Sequence, residues 1–147
     1  MWQKIDKERR AADHLLYVSL KYTKTCDVIL NLILRWQAMI DESINALLAK
    51  AKKKKLVKGS IPAAPRAKVN LLYDVFKKEK DVKETLDLYM FFKKIPQLSC
   101  TREAEFRKNV ALKVTDGEKL IVIDLDKLKE WEGLLERFLS FVKRFIV

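Results

Sequence analysis

The sequence contains few of the residues that interrupt regular structure or carry out chemistry. Its 147 residues include only three glycines, three prolines, two cysteines and one histidine. Three scattered glycines cannot build a glycine-rich phosphate loop, and so few turn-forming residues disfavour an all-β sandwich and exclude collagen-like and low-complexity classes. One histidine, His14, leaves a serine or cysteine hydrolase with a single candidate base. The composition predicts a compact, mostly helical protein and identifies no reaction.

The two cysteines do not form a metal-binding or redox motif. Cys26 and Cys100 lie 74 residues apart, and His14 does not complete a zinc-ligand spacing with them. We expect no metal and no cofactor, and we interpret both cysteines as buried free thiols in a reducing compartment, with a disulfide between them as the alternative. The amino terminus lacks the apolar core of a signal peptide, and the longest apolar-rich run, residues 28–34, is too short to span a bilayer. We therefore expect a cytoplasmic protein with no membrane partner.

Positive charge is what the sequence has in excess, and it is concentrated in one segment. The net charge is +11, from 31 Lys and Arg against 20 Asp and Glu. Residues 50–68, here called the basic segment, hold eight cations and no acid, whereas the other 128 residues carry 23 cations and 20 acids. The eight cations are Lys50, Lys52, Lys53, Lys54, Lys55, Lys58, Arg66 and Lys68. Such a segment binds phosphates, acidic proteins or anionic lipid surfaces, or it is a solvated loop that keeps the protein soluble.

Apolar spacing predicts helices throughout a single domain of residues 1–147. The first helix is expected from about residue 6 to 22, and Thr25 is expected to cap the second helix, about residues 26–54. The first half of that second helix is apolar nearly all round, which indicates that neighbouring helices or a partner chain enclose it.

The middle of the chain contains clear helix boundaries. A basic loop is expected at residues 52–65, and Pro65 suits the first turn of the third helix. Asp81 and Glu84 form a capping-box-like start for the fourth helix, which Pro96 is expected to end.

One β-hairpin is predicted at about residues 109–125, before the last helix. Asp116 and Gly117 are a typical type I′ dipeptide, and as a two-residue loop they would pair Val114 with Lys119. An isolated hairpin is marginally stable in water, so its apolar face must pack on the helices or on another subunit. That face holds Val110, Leu112, Val114, Ile121 and Ile123.

The last helix is expected to run from a cap at Asp124 or Asp126 to about residue 145. Its apolar stripe, spaced by three and four residues, contains Leu128, Trp131, Leu135, Phe138, Val142 and Phe145. The predicted fold is therefore mainly α: a bundle of about five helices with one β-hairpin before the C-terminal helix.

Two smaller groups of side chains are candidates for chemistry or binding. Arg10 and His14 share a face of the first helix, where His14 would move a proton and Arg10 would stabilise a phosphorane during RNA cleavage. The alternative is a half-buried histidine beside a solvated arginine. Arg102, Arg107 and Lys108 either contact a nucleic-acid backbone or belong to a charged loop that nearby glutamates balance.

The order of these parts resembles a known family. The first two helices are followed by a basic loop, then by PRAKVNLLYDVF (residues 65–76) and by DVKETLDLYMFFKKI (residues 81–95). Over about residues 10–110 this order is similar to that of the HEPN superfamily, small helical-bundle proteins of prokaryotic defence and toxin–antitoxin systems. The resemblance implies an up-and-down bundle that forms a homodimer, or that assembles with a nucleotidyltransferase-like protein.

Many members of that superfamily are ribonucleases with an arginine and a histidine, four to six residues apart, late in the bundle. The corresponding region here, residues 91–110, contains Arg102 and Arg107 but no histidine. Arg9 and His14 match the spacing, but they lie on the first helix, about 140° apart around its axis. The resemblance therefore implies a non-catalytic member.

These observations lead to one main hypothesis and two alternatives. The main hypothesis is a non-catalytic, HEPN-like dimer that binds the backbone of RNA or DNA through the basic segment. The first alternative is a metal-independent endoribonuclease, which requires His14 as its base. The second is a structural protein that assembles with itself or with a nucleotidyltransferase-like partner. The sparse catalytic inventory favours binding or assembly over catalysis.

Overall fold

The computed structural model describes residues 1–147 as five helices and one small sheet. Helix α1 begins as Trp2–His14, passes through a π-helical turn at Leu15–Ser19 and ends as Leu20–Tyr22. The other elements are α2 (Cys26–Lys53), α3 (Pro65–Val75), α4 (Lys80–Lys94), a 3-10 turn (Ile95–Gln97), β1 (Ser99–Glu103), β2 (Ala111–Asp116), β3 (Lys119–Ile123) and α5 (Leu125–Ile146). The prediction of a mainly α protein with about five helices is confirmed.

Short polar side chains begin two of the helices as the sequence predicts. The Val28 N–H donates to Thr25 Oγ1 at 3.3 Å, which caps α2, and the Lys127 N–H donates to Asp124 Oδ1 at 2.8 Å, which caps α5. Pro65 occupies the first turn of α3, where its missing N–H costs no hydrogen bond. These three boundaries therefore follow from local chemistry.

The predicted capping box at Asp81 and Glu84 is wrong. Helix α4 already begins at Lys80, and no side chain caps it. Asp81 instead accepts a hydrogen bond from Arg137 Nε of α5 at 3.3 Å, and Glu84 lies 3.8 Å from Lys80 Nζ. Contacts of these two carboxylates with cations replace the local cap.

Helix α2 lies at the centre of the bundle, with α1, α4 and α5 packed around it. Its buried side chains include Ile29, Leu32, Ile33, Trp36, Met39, Ile40, Leu47 and Leu48. The neighbouring helices of the chain leave Leu34 of its first half 59% exposed, so a partner chain would be needed to enclose that side chain. Along α5, Leu128, Leu135, Phe138 and Val142 are buried, and Trp131 and Phe145 are half-buried, so the predicted stripe faces the core.

The sheet contains three antiparallel strands in the order β1-β2-β3, whereas the sequence predicts a single hairpin. Four of the five predicted apolar side chains of the hairpin face are buried, and Ile121 is half-buried. The predicted register is wrong by two residues, because Val114 pairs with Ile121 and Asp116 pairs with Lys119. The turn is formed by Gly117, with φ +64°, and Glu118, as in a type II′ turn. A shift of two residues leaves every side chain on its predicted face.

Both cysteines are free thiols with different environments. Cys26 is buried as predicted, but Cys100 lies exposed on the edge strand β1, so its predicted burial is wrong. Burial raises the pKa of the Cys26 thiol to about 11, and the nearby Glu105 carboxylate adds to the shift. Cys26 is therefore protonated near neutral pH and is a poor nucleophile.

No helix of the structure has the length and apolar character that crossing a membrane requires.

Candidate nucleic-acid interface

The basic segment joins the end of α2 to the beginning of α3. Lys50, Lys52 and Lys53 belong to the last turn of α2, and Arg66 and Lys68 belong to the first turn of α3. The predicted loop of residues 52–65 is therefore shorter, because α2 extends to Lys53 and α3 begins at Pro65. Among the eight cations, Lys50 and Lys68 are half-buried and the other six are exposed.

None of the eight cations forms an ion pair with a carboxylate. The Lys68 ammonium donates to Asn45 Oδ1 at 2.9 Å, and the Lys54 ammonium lies 4.6 Å from the centre of the Phe145 ring. The negative end of the α2 dipole favours cations in its last turn, but it does not neutralise them. Positive charge is thus left available to an external anion.

A defined backbone motif ends α2 within the basic segment. The Leu56 N–H donates to the Ala51 carbonyl at 2.9 Å, and the Lys55 N–H donates to the Lys52 carbonyl at 3.0 Å. These two bonds are those of a Schellman motif, whose left-handed residue is here Lys55, with φ +61°. Glycine fits that conformation at lower cost, so a lysine is held there at the expense of backbone strain.

Packing brings further cations to the same end of the bundle. The Phe76 ring packs edge-on against Phe145, with 4.9 Å between ring centres, and Lys77 and Lys78 follow it as exposed residues. Lys143 and Arg144 lie in the last turn of α5 beside Phe145. Sequence reasoning missed these four cations, because charge spacing along the chain does not show which helix ends are neighbours.

The secondary basic group is divided by the fold. Arg102 Nη2 lies 2.8 Å from Asp27 Oδ1, and its Nη1 lies 3.5 Å from Glu105 Oε1, so this guanidinium is occupied by two carboxylates. The hydrogen bond to Asp27 raises the pKa of Arg102 above its ordinary value. Arg107 and Lys108 remain exposed and unpaired. Only these two members of the group are available to a ligand.

The two candidate catalytic residues are in different surroundings. Arg10 Nε lies 3.3 Å from Asp6 Oδ2, whereas His14 is exposed and lines an open groove between α1 and α2. The arginine that lines this groove is Arg35, which lies 3.3 Å from Glu8 Oε2. Arg35, and not Arg10, therefore lines the groove together with His14.

No group of three or more His, Cys, Asp or Glu side chains has an arrangement that could hold a metal ion.

Comparison of the chain with protein-family models, with curated proteins and with solved structures finds no match.

Proposed function

We propose that this chain is a non-catalytic, HEPN-like bundle that forms a dimer and binds the backbone of RNA or DNA through the basic segment. By its resemblance, the proposal places the protein in a prokaryotic defence or toxin–antitoxin system. The observation that carries the binding function is the absence of any ion pair among the eight cations of the segment.

The charge distribution supports backbone binding rather than sequence recognition. The exposed cations of the segment lie on helix ends and on the connection between them, where they can follow a line of phosphates. No exposed aromatic side chain lies between them, and of these cations the half-buried Phe145 ring contacts only the Lys54 ammonium. Stacking on bases is therefore not part of the proposal for this segment.

The test is the binding of labelled RNA and DNA, single-stranded and duplex, measured by fluorescence anisotropy at about 50 and about 200 mM salt. The variant carries Lys52→Gln, Lys53→Gln, Lys54→Gln and Lys55→Gln. We expect salt-sensitive binding of the wild type and a loss of about tenfold or more in the variant. If all four lysines contact phosphates, the slope of log affinity against log salt falls by about 3 to 4.

A matched control removes four exposed lysines that lie outside the basic segment and line none of the candidate sites: Lys7→Gln, Lys83→Gln, Lys94→Gln and Lys119→Gln. Because both variants lose the same net charge, a general electrostatic effect would weaken both equally. That equality, or the absence of wild-type binding at low salt, would refute the proposal. Cleavage of the RNA that His14→Ala abolishes would instead support the ribonuclease alternative.

Assembly is the second candidate function, and the groove between α1 and α2 favours it. The groove has a volume of about 600 Å³ and includes the apolar residues Leu15, Leu34 and Ala38. Leu34 is 59% exposed, and so is Leu120 on β3, which gives a matched pair. We expect a wild-type dimer in light scattering, a monomer for Leu34→Asp and a dimer for Leu120→Asp. A monomeric wild type would refute self-assembly and, with it, the dimer of the main proposal.

A further inference from the structure

A second group of lysines surrounds a small cavity at the other end of α5. Lys21 and Lys24 come from the end of α1 and the turn after it, Lys108 from the connection between β1 and β2, and Lys129 from the beginning of α5. The cavity has a volume of about 220 Å³. At 1.5 Å per residue, Lys129 lies about 21 Å along α5 from Lys143, which is near the basic segment. The two groups of cations are therefore separate sites.

The wall of this cavity is apolar. Leu16, Leu20 and Val110 are buried, and Leu125 is 36% exposed at the opening. No aspartate or glutamate lines the cavity. The site thus combines an apolar interior with a positively charged rim.

The four lysines have no carboxylate partner in the folded chain. The only hydrogen bond of their ammonium groups runs from Lys24 Nζ to the carbonyl of Lys21. Like charges repel more strongly beside an apolar wall than in bulk water, so bringing four of them together costs free energy. A bound anion would turn that repulsion into attraction.

The backbone is irregular on the same side of the molecule. Leu16 and Tyr17 lie in the π-helical turn of α1, and the Tyr17 hydroxyl donates to the Glu132 carboxylate, which holds the ring at the cavity. Phe106 has φ +67°, is 76% exposed, and donates its N–H to the Lys24 carbonyl at 2.6 Å. π-Helical turns and left-handed residues other than glycine are concentrated at functional sites.

We infer that this cavity binds a phosphate monoester with a short apolar body. The volume is below the roughly 300–1,000 Å³ of pockets for drug-sized ligands, so the body that enters is a short chain. A phosphate dianion offsets the repulsion among the four lysines more fully than the single negative charge of a carboxylate would. Lysine is also a common phosphate ligand. The inference does not depend on the proposed function, because it concerns different lysines.

Isothermal titration calorimetry with octyl phosphate below its micellar concentration tests the inference. We expect one site per chain, with inorganic phosphate and 1-octanol each binding about tenfold or more weakly. Lys108→Gln combined with Lys129→Gln should weaken octyl phosphate binding about tenfold or more, because both remove charge from the rim. The matched control, Lys52→Gln with Lys53→Gln, should leave it unchanged.

Vesicles of phosphatidylcholine with and without phosphatidic acid distinguish the source of the phosphate. Binding to octyl phosphate alone identifies a free ester as the ligand, and binding also to vesicles with phosphatidic acid that the rim variant loses identifies a lipid headgroup. The inference is wrong if inorganic phosphate binds as tightly as octyl phosphate, or if the rim variant binds octyl phosphate like the wild type. It is also wrong if the wild type does not bind octyl phosphate, and a loss of RNA affinity in the rim variant would then assign these lysines to nucleic-acid binding.

Discussion

The two ends of helix α2 carry opposite charges, and the fold treats them differently. At the N-terminus, the Cys26 N–H donates to the Glu105 carboxylate at 3.2 Å, and Arg102 contacts both Glu105 and Asp27. At the C-terminus, the lysines of the last turn contact no carboxylate. Both arrangements suit the helix dipole. At the N-terminus of α2 the charged side chains are paired with one another, whereas at the C-terminus the lysines are not. Only the C-terminus therefore leaves positive charge for a ligand.

This difference separates cations that stabilise the fold from cations that are free to bind. Four substitutions test this distinction, in order from the largest expected effect to the smallest.

Phe76→Ala should have the largest effect on stability, because this ring holds the lysine-rich end of the bundle together. Phe76 is buried and packs edge-on against Phe141 and Phe145, with ring centres 5.3 and 4.9 Å away. Loss of a buried phenyl group leaves a cavity and should lower the free energy of unfolding by about 3 kcal/mol in urea denaturation. Phe106→Ala makes the same truncation at a side chain that is 76% exposed, and it should change stability by less than about 0.5 kcal/mol. Equal effects of the two changes would contradict the packing described.

Glu105→Ala tests whether the acidic end of α2 stabilises the fold. The substitution leaves the first N–H of the helix without its carboxylate and leaves Arg102 with one partner fewer. We expect a loss of about 1–2 kcal/mol in thermal or urea unfolding, with nucleic-acid binding unchanged. Glu103→Ala removes an exposed partner of Lys113 on the sheet and should cost less than about 1 kcal/mol. A loss of RNA binding in Glu105→Ala would show that this end also contributes to the interface.

Features set by neighbouring residues were predictable from the sequence, and features that depend on distant partners were not. Thr25, Pro65 and Asp124 mark helix ends through local hydrogen bonding and ring geometry, and the structure has them there. The faces of the hairpin follow from its alternation, but its register depends on which residues take the turn. Strand β1 escapes detection because all five of its side chains are exposed, so it carries no burial pattern.

The candidate site shows the same division between local and distant information. The charge of the basic segment is visible in its composition, and its lack of ion pairs is not. Arg102 belongs to the same kind of local cluster, yet its partner Asp27 lies 75 residues away. The lysines of the small cavity come from three separate segments, so no spacing along the chain indicates them.

Lys55→Gly should change stability and binding in opposite directions. Glycine relieves the left-handed strain of the Schellman motif, and we expect a gain of about 0.5–1 kcal/mol in the free energy of unfolding. The same change removes one cation from the basic segment, so affinity for RNA or DNA and its salt slope should fall. Lys55→Gln keeps the strain and loses the charge, so it should bind like Lys55→Gly without the gain in stability. If Lys55→Gly gains stability and binds like the wild type, this lysine is outside the interface.

Asp13→Asn applies the same reasoning to unneutralised negative charge, and it has the smallest expected effect. Burial raises the pKa of Asp13 above its ordinary value of 3.8, and the neighbouring Glu132 and Glu136 carboxylates raise it further, against the opposing effect of Arg9. The folded state therefore binds the proton more tightly than the unfolded state, so stability falls as pH rises from about 3.8 through the folded-state pKa.

At pH 7 the ionised Asp13 carboxylate opposes folding. Asp13→Asn should therefore raise the free energy of unfolding by less than about 1 kcal/mol, measured as a small rise in melting temperature. The difference between the two proteins should shrink as the pH is lowered and be lost below 3.8, where wild-type Asp13 becomes protonated in both states. Asp74→Asn, at an exposed aspartate of α3 without an ion pair, is the control and should change stability by less than about 0.5 kcal/mol at pH 7. A variant that is less stable than the wild type at pH 7 would mean that Arg9 outweighs the burial and the two glutamates. In that case the absence of a neutralising partner within the chain would not be enough to identify the charged side chains of this protein that bind a ligand.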